Sequence, residues 1–300
     1  MNKNSYFYRH WQLYVMLVLP IAYFITFKYL PIYGVTIAFK DYNVFKGIEK
    51  SAWVGLDVFH HIFSMDSFYK ALRNTFLLNG LDLVIGFPAP IVLALLLNEI
   101  RHAMFKRVSQ TLLYLPHFIS WVIIGGMVYQ VFATNYGIIN LLLEKIGIGP
   151  FPFLSDKFYW LGTYVSVGIW QSAGWGSILY LAAMTAINKD LYEAADVDGA
   201  SRLRRIWHIT LPGIRTTIIV LLILKIGDMA DIGFDRPYIV GNVMVRDVSD
   251  VLSTFIYRIG LQSGQFSNAT AVGLFQALVG LVFILSANYI SKKMTDESII

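Results

Sequence analysis

The chain has 300 residues, of which 56% are hydrophobic and only 14% are Asp, Glu, Lys or Arg, against the roughly 25% charged content of ordinary soluble domains. It contains no cysteine, which excludes disulfides, thiol catalysis, cysteine-based metal sites and lipidation at a Cys. The net charge of +5 is read as basic residues retained on the inner face of a membrane, not as a nucleic-acid surface.

A crossing of the hydrocarbon core needs about 20 mostly apolar residues. Six runs meet that need, over residues 13–35, 74–97, 111–132, 160–187, 214–234 and 269–290. The first follows Lys3 and Arg9 but has no A-x-A-like cleavage site, so it reads as a retained span. Residues 1–12 and 291–300 then form terminal segments on the inner side. The second run holds Asp82, Pro88 and Pro90; the third holds Pro116 and the pair Gly125-Gly126. Such residues mark hinges or simple kinks.

The fourth run places Gly168, Ser172 and Gly176 at spacing four, and the sixth does the same with Ala269, Gly273 and Ala277, with Gly280 on the same side. Stripes of small residues let helices pack closely in lipid. The fifth run carries Lys225 and Asp228, which share a helix face at a spacing of three and are expected to pair. Charges at membrane depth cost a few kcal/mol and face a cavity or a partner. Asp82, Lys225 and Asp228 are therefore candidates for a polar path, with a structural pair, or Lys225 snorkelling to an interface, as the competing reading. Gln171, flanked by Trp170 and Trp175, needs a partner at depth and is a candidate for the same path, with helix packing as the alternative. His60-His61 stands without further ligands at metal spacing, so no metal site is assigned.

Orientation follows from Lys and Arg in short loops. With the N-terminus inside, the inner loops hold Arg101, Lys106 and Arg107, then Lys189, Arg202, Arg204 and Arg205, and the tail adds Lys292 and Lys293. Both termini are expected inside. The long outer loops, 36–73 and 235–268, are candidates for meeting an external partner.

The inner loop between the fourth and fifth runs reads NKDLYEAADVDGASRLRRIWHITLP over residues 188–212. Asp190 followed by Glu193 is a capping-box pattern. Leu191, Ala194 and Ala195 give the short helix one compact apolar side, and Gly199 ends it. A second helix through Arg202, Arg204, Arg205 and Trp207 leads to Pro212 at the start of the next run. Spacing alone leaves two readings open: a helix–turn–helix that lies in a groove on a partner, or an interfacial loop touching anionic headgroups.

The segment resembles the EAA loop of permeases in binding-protein-dependent ABC importers. The pattern is E-A-A, three residues, G, nine residues, then I-x-L-P, found here as Glu193-Ala194-Ala195, Gly199 and Ile209-Thr210-Leu211-Pro212. Leu191-Tyr192 before it and Asp198-Gly199-Ala200 within it also match. Residues 28–42, 86–101, 114–121, 233–236 and 250–273 extend the similarity to carbohydrate permeases of the maltose-transporter type, in a branch handling complex oligo- and polysaccharides. The family pattern has Gln where Arg236 stands, so no role carries over to that position.

The resemblance implies an all-α integral membrane protein with six spans and the type I ABC importer permease fold. It implies that this loop docks on an ATPase subunit through Leu191, Tyr192, Glu193, Ala194, Ala195 and Asp198, then Gly199, Ala200, Arg202, Arg205, Leu211 and Pro212. The implied partners are a second homologous permease, two ATPase subunits, an extracellular solute-binding protein, a saccharide and the lipid of a bacterial plasma membrane. No G-x-x-x-x-G-K-[ST] motif occurs, so ATP and Mg are expected on partner subunits and no cofactor in this chain. Neither G-x-S-x-G nor H-E-x-x-H occurs. A membrane enzyme would need a clustered acid, base or metal set; an ion-coupled transporter would use Lys225 and Asp228. Both stand as the alternatives.

Overall fold

The computed structural model describes residues 9–295. Of the expected terminal segments 1–12 and 291–300, residues 1–8 and 296–300 lie outside the described residues. Two compact units divide the chain: one runs to Met65 and adds Ile256–Leu274, and the other holds Asp66–Phe255 and the residues from Phe275 on.

In the first unit, α1 spans Trp11–Phe39. It begins as α-helix, passes through a wider turn at Ile25–Tyr29 and tightens over Leu30–Phe39. Its stretch Trp11–Phe24 is strongly apolar yet contains no buried residue, the pattern of a helix whose solvent is lipid. One correction to the all-helical expectation follows directly. Strands β1 (Lys40–Asp41) and β2 (Ala52–Trp53) form a two-residue antiparallel pair, with Phe39 stacked on Trp53 at 5.7 Å. Ser267 fastens this hairpin, accepting from the Tyr42 N–H and donating to the Lys40 carbonyl. Helix α2 (Asp57–Phe63) completes the local cluster.

The second unit begins with α3, Asp66–Asn98. The missing N–H groups of Pro88 and Pro90 open its ladder. The helix answers with a π turn at Asp82–Gly86, where the Phe87 N–H reaches the Asp82 carbonyl at 2.7 Å. The third predicted run is broken. Helices α4 (Ala103–Phe118) and α5 (Trp121–Phe132) meet at 104°. Pro116 begins the break and Ser120 caps α5. The Gly125-Gly126 pair is not the hinge: Gly125 is buried inside α5, in contact with Ile239. After α6 (Ile138–Lys145) the chain is pinned by Asn140, whose side chain bonds the carbonyls of Ala133, Thr134 and Phe151 and the Phe151 N–H.

Helix α7, Lys157–Thr185, has 29 residues and is the centre of this unit. Asp156 caps it by accepting from the N–H groups of Phe158 and Tyr159. Lys157 bonds Asp247 at 2.6 Å and holds that carboxyl below its usual range. Trp160 and Tyr164 are buried in the main core cluster, and the Trp160 indole donates to the Val240 carbonyl at 2.9 Å.

The loop helices α8 (Lys189–Val197) and α9 (Arg202–Gly213) follow. Helix α9 turns by 63° into α10, Arg215–Gly227. The fifth predicted run therefore starts one residue late and stops seven early. Asp228 ends the helix, and the Asp231 carboxylate accepts from the Gly233 N–H at 2.8 Å. That local bond competes with the helical ladder, and Gly233 lies at φ +76°, where other residues are strained. Helix α11 (Asp235–Val240) resumes after this break. The last helix, α12, runs Phe266–Thr295.

Among the described residues three helices, α1, α3 and the Phe266–Ile290 part of α12, are long and apolar enough to cross a membrane. Each bent pair, α4 with α5 and α9 with α10, adds one span if it is counted as one, giving up to five. Helix α7 coincides with the fourth predicted run but is outside that set, because Gly, Ser, Thr and Gln dilute its apolar residues.

Candidate functional site

Two places carry chemistry: the loop between α7 and α10, and a cavity in the second unit. The loop is built by local rules. Asn188, not Asp190, is the N-cap of α8 and accepts from the Asp190 N–H at 3.0 Å. The N-cap is thus displaced by two residues and the expected capping box does not form, since the third helical residue is then Leu191 and not Glu193. Glu193 is released by that shift. It is exposed and makes no hydrogen bond or ion pair among the described residues.

Helix α8 ends as the sequence predicts. Gly199 takes φ +69°, the Gly199 N–H bonds the Asp196 carbonyl and the Ala200 N–H bonds the Ala195 carbonyl. This is the paired-bond Schellman ending that needs a left-handed residue. Ser201 caps α9 through the Arg204 N–H. Arg205 closes the turn with an ion pair to Asp196, and Tyr192 shares a hydrogen bond of 2.9 Å with Thr210. The base is set in a small core of Ala94, Tyr180, Met184 and Ile214. Leu191, Val197, Leu203 and Trp207 remain exposed, Val197 at 88%. Braced at its base and bare on its tip, the loop presents Leu191, Glu193, Ala194 and Arg202 outward, while Tyr192 and Arg205 serve its internal bracing.

The cavity has a volume of about 740 Å³. Helix α3 contributes Asp82, Gly86 and Pro90; α7 contributes Gly168, Gln171, Ser172 and Trp175. Lys225 from α10 and Asp228 from the break after it complete the opposite side, with Arg236. Five of the six predicted path residues thus come together: Asp82, Gln171, Trp175, Lys225 and Asp228. Trp170 does not. It packs with Met127, Val131 and Val167 around a separate apolar cavity of about 310 Å³. Successive helical residues point about 100° apart, so Trp170 cannot share the face of Gln171 and Trp175.

The expected Lys225–Asp228 pair is absent among the described residues. Asp228 is the C-cap of α10, its N–H still bonded to the Leu224 carbonyl at 3.2 Å, and the two side chains make no ion pair although they lie one turn apart. Asp82 instead pairs with Arg236. Arg236 Nη1 donates to Asp82 Oδ2 at 2.7 Å and Nη2 to Oδ1 at 3.2 Å. Nη2 also donates to the Tyr164 carbonyl at 2.8 Å, and the guanidinium carbon lies 3.7 Å from the Tyr164 ring centroid. Gly168 makes room for it: a Cβ there would collide with the guanidinium. Sequence reasoning missed Arg236 because its partner is 154 residues away.

Trp175 is half covered. The His117 ring stacks on it at 4.8 Å with planes 1° apart, and Phe118 meets its edge at 5.4 Å. Gln171 donates to the His117 carbonyl at 3.4 Å. The cavity lining therefore offers an indole, an amide, an ammonium and carboxylates. That set suits a hydroxyl-rich solute, which needs both apolar faces and hydrogen-bond partners.

Comparison with known proteins places the chain in a family. Residues 86–296 match the family described as binding-protein-dependent transport system inner membrane component. Protein LplB of Bacillus subtilis (strain 168) is 47% identical over 96% of this chain and 90% of its own length. The polygalacturonan/rhamnogalacturonan transport system permease protein YteP of the same organism is also 47% identical, over 96% of this chain and 89% of its own. Among solved structures, a chain of a bacterial alginate ABC transporter, crystallised in complex with an alginate pentasaccharide-bound periplasmic protein, superposes with a TM-score of 0.88. It is 40% identical over 98% of this chain and 99% of that one. The family match covers more than two thirds of the chain, and the chain belongs to the family of binding-protein-dependent transport system inner membrane components.

Proposed function

We propose that the chain is the permease subunit of an ATP-binding cassette importer that takes up oligosaccharides or polysaccharide fragments through a bacterial plasma membrane. The observation that carries this reading is the loop 188–212. It is braced within itself, bare at its tip and bears the EAA pattern, in a chain without a phosphate-binding loop of its own. The relatives named for polygalacturonan, rhamnogalacturonan and alginate transport support the saccharide class.

In this reading α1, α3, α4 with α5, α7, α9 with α10, and α12 make six crossings, with both termini and the loop on the cytoplasmic side. A second permease completes the path, and an extracellular binding protein delivers the saccharide. Two partner subunits hold ATP and Mg and supply the energy. Glu193 and the small residues Ala194 and Ala195 let α8 sit close in a groove on one of them. Movement of the docked loop reaches the cavity through α7 and α10, the helices that enter and leave it. Gln171, Lys225 and Asp228 hold the saccharide hydroxyls there, and the open side of Trp175 takes a sugar face.

The reading is tested in the reconstituted complex with its binding protein. Glu193→Arg is expected to lower both stimulated ATP hydrolysis and uptake by about tenfold or more, the loss of one buried charged hydrogen bond being about 1.5–3 kcal/mol. Unchanged values for both would sink the docking assignment. Gln171→Ala is expected to weaken saccharide transport by about five- to thirtyfold, as one or two lost hydrogen bonds would, while the ATPase subunits stay bound. Release of those subunits would assign Gln171 to packing.

A further inference from the structure

An ion pair at membrane depth is a costly device, and it is weak evidence for stability. Apolar residues of similar volume often serve as well, whereas removal of one partner leaves a buried charge. The Asp82–Arg236 pair is of this kind, with side chains 14% and 13% exposed. Its fork-on-fork geometry is well formed. Yet Arg236 Nε is buried with no acceptor among the described residues, so the guanidinium is not saturated where it stands.

The backbone on either side of the pair is built to deform. Asp82 opens the π turn of α3, just before Pro88 and Pro90. Arg236 follows the non-helical break 228–234, with Gly233 at positive φ. Such points are where helices bend and hinge. The third element at the pair is α7, through the Tyr164 carbonyl and the space left by Gly168. Gly168 is the first cavity-lining residue on α7, and Thr185 is its last residue before the loop. Their separation of 17 positions along the helix corresponds to roughly 26 Å of rise. The pair therefore sits at the end of the cavity remote from the loop. Both helices that flank the loop lead toward it: α7 carries Tyr164 and Gly168, and α10 runs into the break 228–234 that precedes Arg236 in α11.

We propose that Asp82 and Arg236 form a latch on the outer end of the transport cavity, closed in this conformation and opened when the loop is driven by the ATPase. The assignment rests on the importer reading above for the direction of the loop. Closed, the pair ties α3 to α11 across the cavity wall. Open, it frees the π turn and the break to swing apart and admit the saccharide from outside. Arg236 then exchanges Asp82 for water or for the solute, which also satisfies Nε.

The absence of cysteine permits a direct test. Asp82→Cys with Arg236→Cys is introduced, the complex is reconstituted, and the two positions are joined by a short reducible bifunctional thiol reagent. Single-site variants control for cysteines in partner subunits. Joining is expected to cut uptake and binding-protein-stimulated ATP hydrolysis by about tenfold or more, with recovery on reduction, since a lock that removes the open state removes transport. In parallel, Arg236→Gln is expected to raise ATP hydrolysis without binding protein by about threefold or more, and Asp82→Arg with Arg236→Asp to return it to within about twofold of the parent. Uptake at the unjoined rate in the joined complex overturns the latch, as does unmoved hydrolysis in Arg236→Gln. Should Arg236→Gln fail to assemble, the joining experiment decides alone. A parent complex that imports no saccharide overturns the importer reading and the latch with it; a parent that imports, with a joined form that also imports, overturns the latch only.

Discussion

Gly199→Val is expected to abolish coupling while leaving the membrane part of the chain folded. Gly199 sits at φ +69°, where a β-branched residue is a genuine outlier and even a Cβ costs about 1–2 kcal/mol. A Cβ there meets nothing within 4 Å, so the damage is backbone strain and not collision. To escape it the turn must give up the Ala200-to-Ala195 and Gly199-to-Asp196 bonds. Helix α9 then loses its angle to α8, and the Arg205–Asp196 pair that spans the turn goes with it. Stimulated ATP hydrolysis and uptake should fall together by about tenfold or more, the 1.4 kcal/mol of strain being one decade in an equilibrium. Gly199→Asn is the control, because Asn tolerates the left-handed region, and it should keep most of both activities. Full activity in Gly199→Val would remove the loop's conformation from the mechanism. Loss in Gly199→Asn equal to that in Gly199→Val would shift the explanation to close approach of a partner.

The loop was the most legible part of the sequence because its structure is local. Glycine at a helix end, serine before a helix and a proline after it act within a few residues. The N-cap moved from Asp190 to Asn188, two acceptors two residues apart being hard to rank from sequence, and Pro212, expected at the start of the next run, lies inside α9 before the 63° bend into α10. The apolar runs were legible for a similar reason. The long helices α1, α3 and α12 coincide with the first, second and sixth runs. Breaks within runs were harder. Pro116 was seen, but nothing in hydropathy distinguishes a kink from the 104° bend at Ile119-Ser120. Helix α10 ends early where turn bonds from the Met229 and Asp231 N–H groups and the Asp231-to-Gly233 bond replace the helical ladder, which hydropathy does not report.

The cavity was legible as composition and not as pairing. Polar side chains in apolar runs must face something, which brought out Asp82, Gln171, Lys225 and Asp228. Their partners depend on contacts between distant elements. The local guess, Lys225 with Asp228, failed, and the contact over 154 residues, Asp82 with Arg236, is the one that forms.

The same limit applies to the small-residue stripe on α7, and it leads to the largest structural effect expected here. Spacing four picked Gly168, Ser172 and Gly176. Gly176 does meet Pro90, at 3.1 Å from a Cβ placed on it, and Gly168 makes room for Arg236. The tightest contact is on a glycine outside the stripe. At Gly174 a Cβ would run into the carbonyl of Leu113 on α4. A side-chain neighbour can rotate away, but a backbone carbonyl moves only with its helix. Gly174→Ala must therefore push α4 off α7 and disturb the bend at Pro116 that positions His117 against Trp175. Overpacking of this kind costs about 1–3 kcal/mol where neighbours can adjust, and close helix contacts are a main source of stability in lipid. The expected order of loss, read as folded chain recovered in detergent and its melting midpoint, is Gly174→Ala far above Gly176→Ala, with Gly162→Ala unaffected because nothing lies within 4 Å of its Cβ. Equal recovery of Gly174→Ala and Gly162→Ala would show that α4 and α7 do not approach through Gly174. Loss of Gly176→Ala alone would restore the stripe as the packing face.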